Sequence, residues 1–153
     1  MAARGRALSV LAVGGSLAAV AAVGAVVPAS ATASAPATAK SVTISLHKTS
    51  VGKRVAAKGG RTVYMFSIDT SKKSNCGKKC RAVWKPVTSE HAPKAAHGIK
   101  RASLAKIKHD QVKYHGHPLY YYLGDHKAGQ ANGEGLFAFK GFWYTVTAKG
   151  RVG

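Results

Sequence analysis

Asp69 and Asp125 are the two carboxylates of this chain that recur in matched surroundings, and a matched carboxylate pair is the minimum equipment for acid and base work of the glycosidase kind. The other three acids, Glu90, Asp110 and Glu134, follow no such pattern. Both aspartates end strand-like segments, where a carboxylate ordinarily closes a turn by accepting backbone N–H groups two residues on. Turn chemistry therefore accounts for them, and no catalytic residue is assigned. Of the seven His residues, His115 and His117 flank Gly116 and would share one face of a strand, which makes them the alternative for a zinc or copper site. A single H-x-H carries little specificity, and His is also a common turn residue in a basic protein. No metal and no cofactor is expected.

The surroundings of the two aspartates are one stretch used twice. Gly60-Arg61-Thr62-Val63-Tyr64-Met65-Phe66-Ser67-Ile68-Asp69 returns 56 positions later as Gly116-His117-Pro118-Leu119-Tyr120-Tyr121-Tyr122-Leu123-Gly124-Asp125. Alternate side chains of a strand leave on opposite faces, so Tyr64 shares a face with Phe66, and Tyr120 with Tyr122. Aromatic residues at this period suit a half-buried pleated surface, and the upstream Gly supplies the turn that starts each strand. The opposite parity, Met65 and Tyr121, is the one expected to be exposed if the sheet has a wet face.

These motifs resemble a secreted repeat family of unknown function, a group of predicted lipoproteins with a Y-x-[FWY]-x-x-D motif. Its members follow the first motif with S-x-C-x-G-x-C and W-P-P, and the second with P-G-x-x-N-G-x-G and W-Y. Here Ser74-Asn75-Cys76-Gly77-Lys78-Lys79-Cys80 precedes Trp84-Lys85-Pro86, and Ala128-Gly129-Gln130-Ala131-Asn132-Gly133-Glu134-Gly135 precedes Trp143-Tyr144. The likeness runs from about Val42 to Gly150 and implies a fold and a location rather than an activity. Relatives often carry a lipid-modified Cys at the end of the signal; this chain has no Cys before Cys76, which implies release rather than tethering.

Residues 1–33 read as a cleaved signal peptide: Arg4 and Arg6, then a small apolar run from Ala7 to Val27, then small-residue cleavage patterns at Ala29-Ser30-Ala31 and Ala31-Thr32-Ala33. An uncleaved anchor is the alternative. Residues 34–41 read as a flexible Ala/Ser/Pro tail, and 42–153 is long enough for one domain only. The fold class expected is all-β, a single compact domain of two β-rich repeats, about 42–90 and about 100–150, built from hairpins. Thr70–Cys80 reads as a polar loop, Thr88–Gly98 as a linker and Ser103–Ile107 as a strand, although Ile99–Gln111 also admits a helix. The Gly129–Gly135 stretch lacks the strand-to-helix setting of a phosphate-binding loop and reads as a turn.

Cys76 and Cys80 are the only cysteines, and outside the cell they are expected to bridge. A redox couple or half a metal site are the alternatives, but neither C-x-x-C, nor C-x-x-C-H, nor a second pair is present. Charge is the strongest functional hint. The chain carries 24 Lys and Arg against five acids, a formal +19, and +17 once Arg4 and Arg6 leave with the signal. Lys72, Lys73, Lys78, Lys79, Arg81 and Lys85 form the local concentration expected to bind polyanions. Anionic cell-wall polymer, extracellular nucleic acid and peripheral contact with anionic lipid head groups are the partners this implies. The expectation is a secreted, cell-surface-associated, non-enzymatic binding protein, with a metal-binding or redox-active protein as the rival; the sequence sets no oligomeric state.

Overall fold

The computed structural model describes residues 40–153, so the expected signal peptide (1–33) and most of the expected tail (34–41) lie outside the described residues. The described chain is mostly β, as expected. It contains β1 (Thr43–Thr49), β2 (Gly52–Ala57), β3 (Arg61–Thr62), β4 (Tyr64–Phe66), a helix α1 (Lys78–Val83), β5 (Trp84–Pro86), β6 (Lys94–Ala95), β7 (Leu104–Lys106), β8 (Val112–Tyr114), β9 (His117–Pro118), β10 (Tyr120–Tyr122), β11 (Phe137–Ala138) and β12 (Gly141–Thr145).

Each repeat opens with a three-stranded meander, β1-β2-β3 in the first and β7-β8-β9 in the second. The turns between these strands fall where the sequence supplies residues that tolerate positive φ. His109 and Asp110 (φ 59° and 57°) join β7 to β8, and His115-Gly116 (φ 46° and 87°) joins β8 to β9. Ile99–Gln111 therefore forms no α-helix. The expected pairing of His115 with His117 on one strand face also fails, because His115 sits in the turn and only His117 enters β9.

Each motif breaks across two sheets. Arg61–Thr62 completes the first meander, and after Val63 the chain crosses to a central sheet ordered β11-β12-β4-β10-β5. In that sheet the repeats interleave: β12 and β10 from the second flank β4 from the first, and β5 from the first flanks β10. Tyr64 lies directly opposite Tyr120, Trp143 opposite Phe66, and Trp84 opposite Tyr122. A pseudo-two-fold axis thus passes between the two motif tyrosines. The same relation continues past the sheet, where Val55 N–H donates to Val146 O (2.8 Å) and Val112 N–H to Val87 O (2.7 Å), so each repeat's tail seals the other's meander.

The central sheet is covered on both faces, so the condition on which Met65 and Tyr121 were candidates for exposure, a wet side, is not met. Val63, Met65, Leu119, Val55, Val87, Val112 and Val146 build an aliphatic core on one face; Tyr64, Phe66, Trp84, Tyr120 and Trp143 build an aromatic core with the two cysteines on the other. Met65 is buried, and Tyr121 packs against the aliphatic core with the Arg61 guanidinium 4.2 Å from its ring centroid. The segment expected as a linker also contributes, since β6 adds to β1 in parallel, Thr43 beside Lys94 and Ile44 beside Ala95.

Neither repeat can complete the central sheet or its two cores alone, because its motif strand has its ladder partners in the other repeat. A fragment of residues 40–92 is expected to be unfolded by near-UV circular dichroism, as is one of residues 93–153. An equimolar mixture is expected to recover the spectrum of the intact domain; independent folding of either half would contradict the interleaving.

Candidate functional site

Tyr64 and Tyr120 both point into the aromatic core, and each hydroxyl crosses to the other copy's aspartate. Tyr64 donates to Asp125 Oδ2 at 2.6 Å, and Tyr120 donates to Asp69 Oδ2 at 2.5 Å. The second carboxylate oxygen closes a loop: Asp69 Oδ1 accepts Asn75 N–H (2.6 Å) and Asp125 Oδ1 accepts Asn132 N–H (2.9 Å). Each of those asparagines returns its side-chain amide to the carbonyl preceding the aspartate, Asn75 to Ile68 and Asn132 to Gly124. The expected turn onto N–H groups two residues on is therefore replaced by wider loops closed six and seven residues on. Asn75 and Asn132 were legible as the one Asn after each motif Asp; their part in the clasp was not, since it depends on tertiary placement.

Beneath the clasps lies a stack of four rings. Phe66 lies on Trp143 (centroids 4.1 Å, interplanar angle 7°), Trp143 on Trp84 (3.9 Å, 2°), and Trp84 on Tyr122 (4.4 Å, 26°). Tyr64 meets Trp84 edge-on at 5.3 Å, and Tyr120 meets Trp143 edge-on at 5.1 Å. Stacked and edge-on pairs of this kind each add about 1 kcal/mol beyond burial. Gly133 passes directly over the stack, where a Cβ would come within 2.6 Å of Trp84 and 2.9 Å of Tyr64, and its N–H donates to the Tyr64 hydroxyl. In the first repeat the corresponding place after Asn75 belongs to Cys76.

Cys76 and Cys80 form a disulfide, Cα atoms 5.2 Å apart, that spans the entry to α1. The reading of Thr70–Cys80 as loop missed this helix because six residues carry too little periodicity to show and too few hydrogen bonds to stand alone. The bridge and Arg81 Nε, which donates to Cys76 O at 2.8 Å, tie its first turn. Both cysteines are buried in the aromatic core, 1% and 3% exposed, which shields the bridge from attack by an external thiolate.

Beside this bridge the structure gathers part of the basic cluster. Lys73, Lys78, Arg81 and Lys85 line an open concavity of about 660 Å3 with Ser74 and Asn75. Lys72 turns instead, with Lys73 and Arg81, to a smaller groove of about 130 Å3 that also meets Lys108 and His109. Lys79 lines neither. All five carboxylates meanwhile have partners inside the fold. Beyond the two clasps, Glu134 accepts Thr145 N–H (2.6 Å), Glu90 accepts Lys40 N–H (2.9 Å), and Asp110 forms with Lys106 the single ion pair among the described residues. His115 and His117 gain no third ligand: among the described residues no three His, Cys, Asp or Glu side chains converge. Burial, aided by the neighbouring His115, holds the His117 imidazole below its ordinary value.

Burial also sets the protonation of the clasps. It pushes the phenols of Tyr64 and Tyr120 well above their ordinary value of 10.0, and the carboxylate each hydroxyl bonds pushes further. Burial raises the Asp69 carboxyl too, against the pull of the Tyr120 hydroxyl and the Asn75 N–H. The shared protons therefore stay on the tyrosines, and the clasp is a phenol donating to a carboxylate.

Crossed pairing makes a sharp prediction for coupling. Tyr64→Phe leaves Asp125 and the Gly133 N–H short of a partner and should cost about 1–3 kcal/mol. In double-mutant cycles read by denaturant unfolding, Tyr64→Phe should couple to Asp125→Asn and Tyr120→Phe to Asp69→Asn, while pairs taken within one copy should be additive. Alkali supplies a second test. Because the folded phenols ionise above the unfolded ones, their contribution to stability is complete below about pH 10 and is lost as pH rises towards the folded-state values. Absorbance at 295 nm should show Tyr64 and Tyr120 ionising together with unfolding; ionisation of all six tyrosines while near-UV circular dichroism stays native would contradict it.

Comparison with known proteins agrees with this two-fold construction. No curated protein and no solved structure matches the chain. Residues 45–88 and 105–147 each match the model of a family described as a secreted repeat of unknown function. Each matched segment carries one meander, one motif tyrosine and aspartate, and one tryptophan of the central stack. The chain belongs to this family of secreted repeats and holds two copies of the repeat, interleaved through one sheet.

Proposed function

We propose that this secreted protein is a non-enzymatic binding protein of the anionic cell surface, and that it holds phosphate- or carboxylate-bearing wall polymers in the basic concavity beside the disulfide. The observation that carries this reading is the division of charge. Five acids are held in structural hydrogen bonds or the one ion pair, while Lys73, Lys78 and Lys85 stand exposed around a concavity whose lining includes no carboxylate. Such a surface attracts polyanions over about a Debye length, ~10 Å at moderate salt. Arg81, half-buried and tied to Cys76 O, supplies a cation of set position, and the disulfide holds the helix that carries Lys78 and Arg81. The aspartates are less suited to hydrolysis, because each has one oxygen on a buried tyrosine and the other on a backbone N–H.

Binding to purified anionic wall polymer and to inorganic polyphosphate, measured across ionic strengths, tests the reading. Affinity should fall log-linearly with salt, and Lys73→Gln/Lys78→Gln/Lys85→Gln should reduce the slope by about one for each lysine neutralised, with melting unchanged. A matched variant at the exposed Lys53, Lys94 and Lys100 should keep most of the affinity. Equal weakening in the two variants would mean that net charge, not the concavity, does the binding.

A further inference from the structure

The β11–β12 hairpin and its surroundings carry most of the large exposed hydrophobic side chains among the described residues. Phe137, Phe139 and Phe142 are 65%, 41% and 44% exposed, and Leu136 and Ile68 beside them are 38% and 42% exposed. Phe137 and Phe142 are cross-strand partners with ring centroids 4.9 Å apart, and Phe142 leads on to Tyr144 at 6.0 Å, so the rings form one surface. Burial within the domain does not require these side chains to be aromatic. Isolated exposed hydrophobes need no explanation, but a contiguous group of this size marks an interaction surface.

Backbone geometry at the tip points the same way. Ala138 pairs with Gly141, leaving Phe139 and Lys140 as a two-residue turn with φ of 58° and 71°. That turn strongly favours Asn-Gly, and a bulky side chain in the left-handed region is disfavoured by roughly 1–2 kcal/mol. The chain nonetheless places Phe and Lys there, side by side and exposed. Observed strain of this kind supports a hypothesis of function.

We propose that this hairpin is an insertion element for the surface of an anionic lipid bilayer. Phenylalanines sink to the boundary of head groups and acyl chains, and Lys140 reaches the lipid phosphates from the tip, as Lys does when its stem follows apolar surface. The charge of the domain selects the occupant. A formal +17 outside the signal draws the protein to an anionic membrane, at about 1 kcal/mol per basic residue brought near the surface, and opposes a second copy of the same chain on a strand edge only two residues long. This site is separate in sequence from the basic concavity, so either can fail without the other.

Flotation of the secreted protein with vesicles of phosphatidylglycerol and phosphatidylcholine, and with phosphatidylcholine alone, tests the assignment. The parent should partition onto the anionic vesicles and retain part of that binding at salt that abolishes polyphosphate binding. Phe137→Ser/Phe139→Asn/Phe142→Ser should lower partitioning by on the order of tenfold or more, with polyphosphate binding unchanged. Should the triple variant fold poorly, Phe139→Asn alone relieves the turn and is expected to raise stability while lowering partitioning. Vesicle binding equal in parent and Phe variants would overturn the proposal. So would a concentration-dependent dimer that the triple substitution abolishes while vesicle binding persists, since the hairpin would then serve a second copy.

Discussion

Everything in the domain depends on Tyr64 lying opposite Tyr120 in one antiparallel ladder. Once these residues face each other, the pseudo-two-fold relation requires each hydroxyl to reach the other repeat's aspartate, and each tryptophan strand to add beside the other repeat's motif strand. The Phe66-Trp143-Trp84-Tyr122 stack follows, with rings contributed alternately by the two repeats. Cooperativity is built in, because removing a strand from one repeat opens the sheet and both cores of the other.

The dyad does not make the repeats equivalent at the surface. Where the chain folds back over the aromatic core after the asparagine, the second repeat uses Gly133, whose missing Cβ lets backbone lie on Trp84 and Tyr64. The first repeat uses Cys76 and continues into a bridged helical turn carrying Lys78 and Arg81. Likewise the second repeat ends in the exposed β11–β12 hairpin, while the first leads into β6 on the edge of β1. The core is thus shared and symmetric; the features suited to binding belong to one repeat or the other.

Charge is organised by the same economy of acids. With five carboxylates in the whole chain, those that hold the fold together leave almost none to offset the basic residues outside. A clasp made from a phenol and a carboxylate keeps the acid inside the fold without an ion pair, so the lysines remain on the surface. Buried phenols bonded to carboxylates give the interior a polar framework that stays intact at neutral pH.

Much of this was legible in residue order. The twice-used motif, the alternation of Val63, Tyr64, Met65 and Phe66, the Gly turns and the lone cysteine pair are local signals, and strand parity and turn chemistry act over a few residues, so they identified a two-repeat β domain, its bridge and its basic cluster. Partner choice is not local. Parity says which side chains share a face but not whether the other face is covered, and so Met65, read as a candidate for exposure, lies in a core completed by Val87, Leu119 and Val146 from distant segments. The motif Asp could be seen to end a strand; that its partner is the tyrosine of the other copy depends on a register set only when the strands interleave. For the same reason the basic cluster formed one local concentration in sequence but divides in space: Lys78 and Arg81 of α1 meet Lys73 from the preceding loop and Lys85 from β5, while Lys79 lies outside that lining.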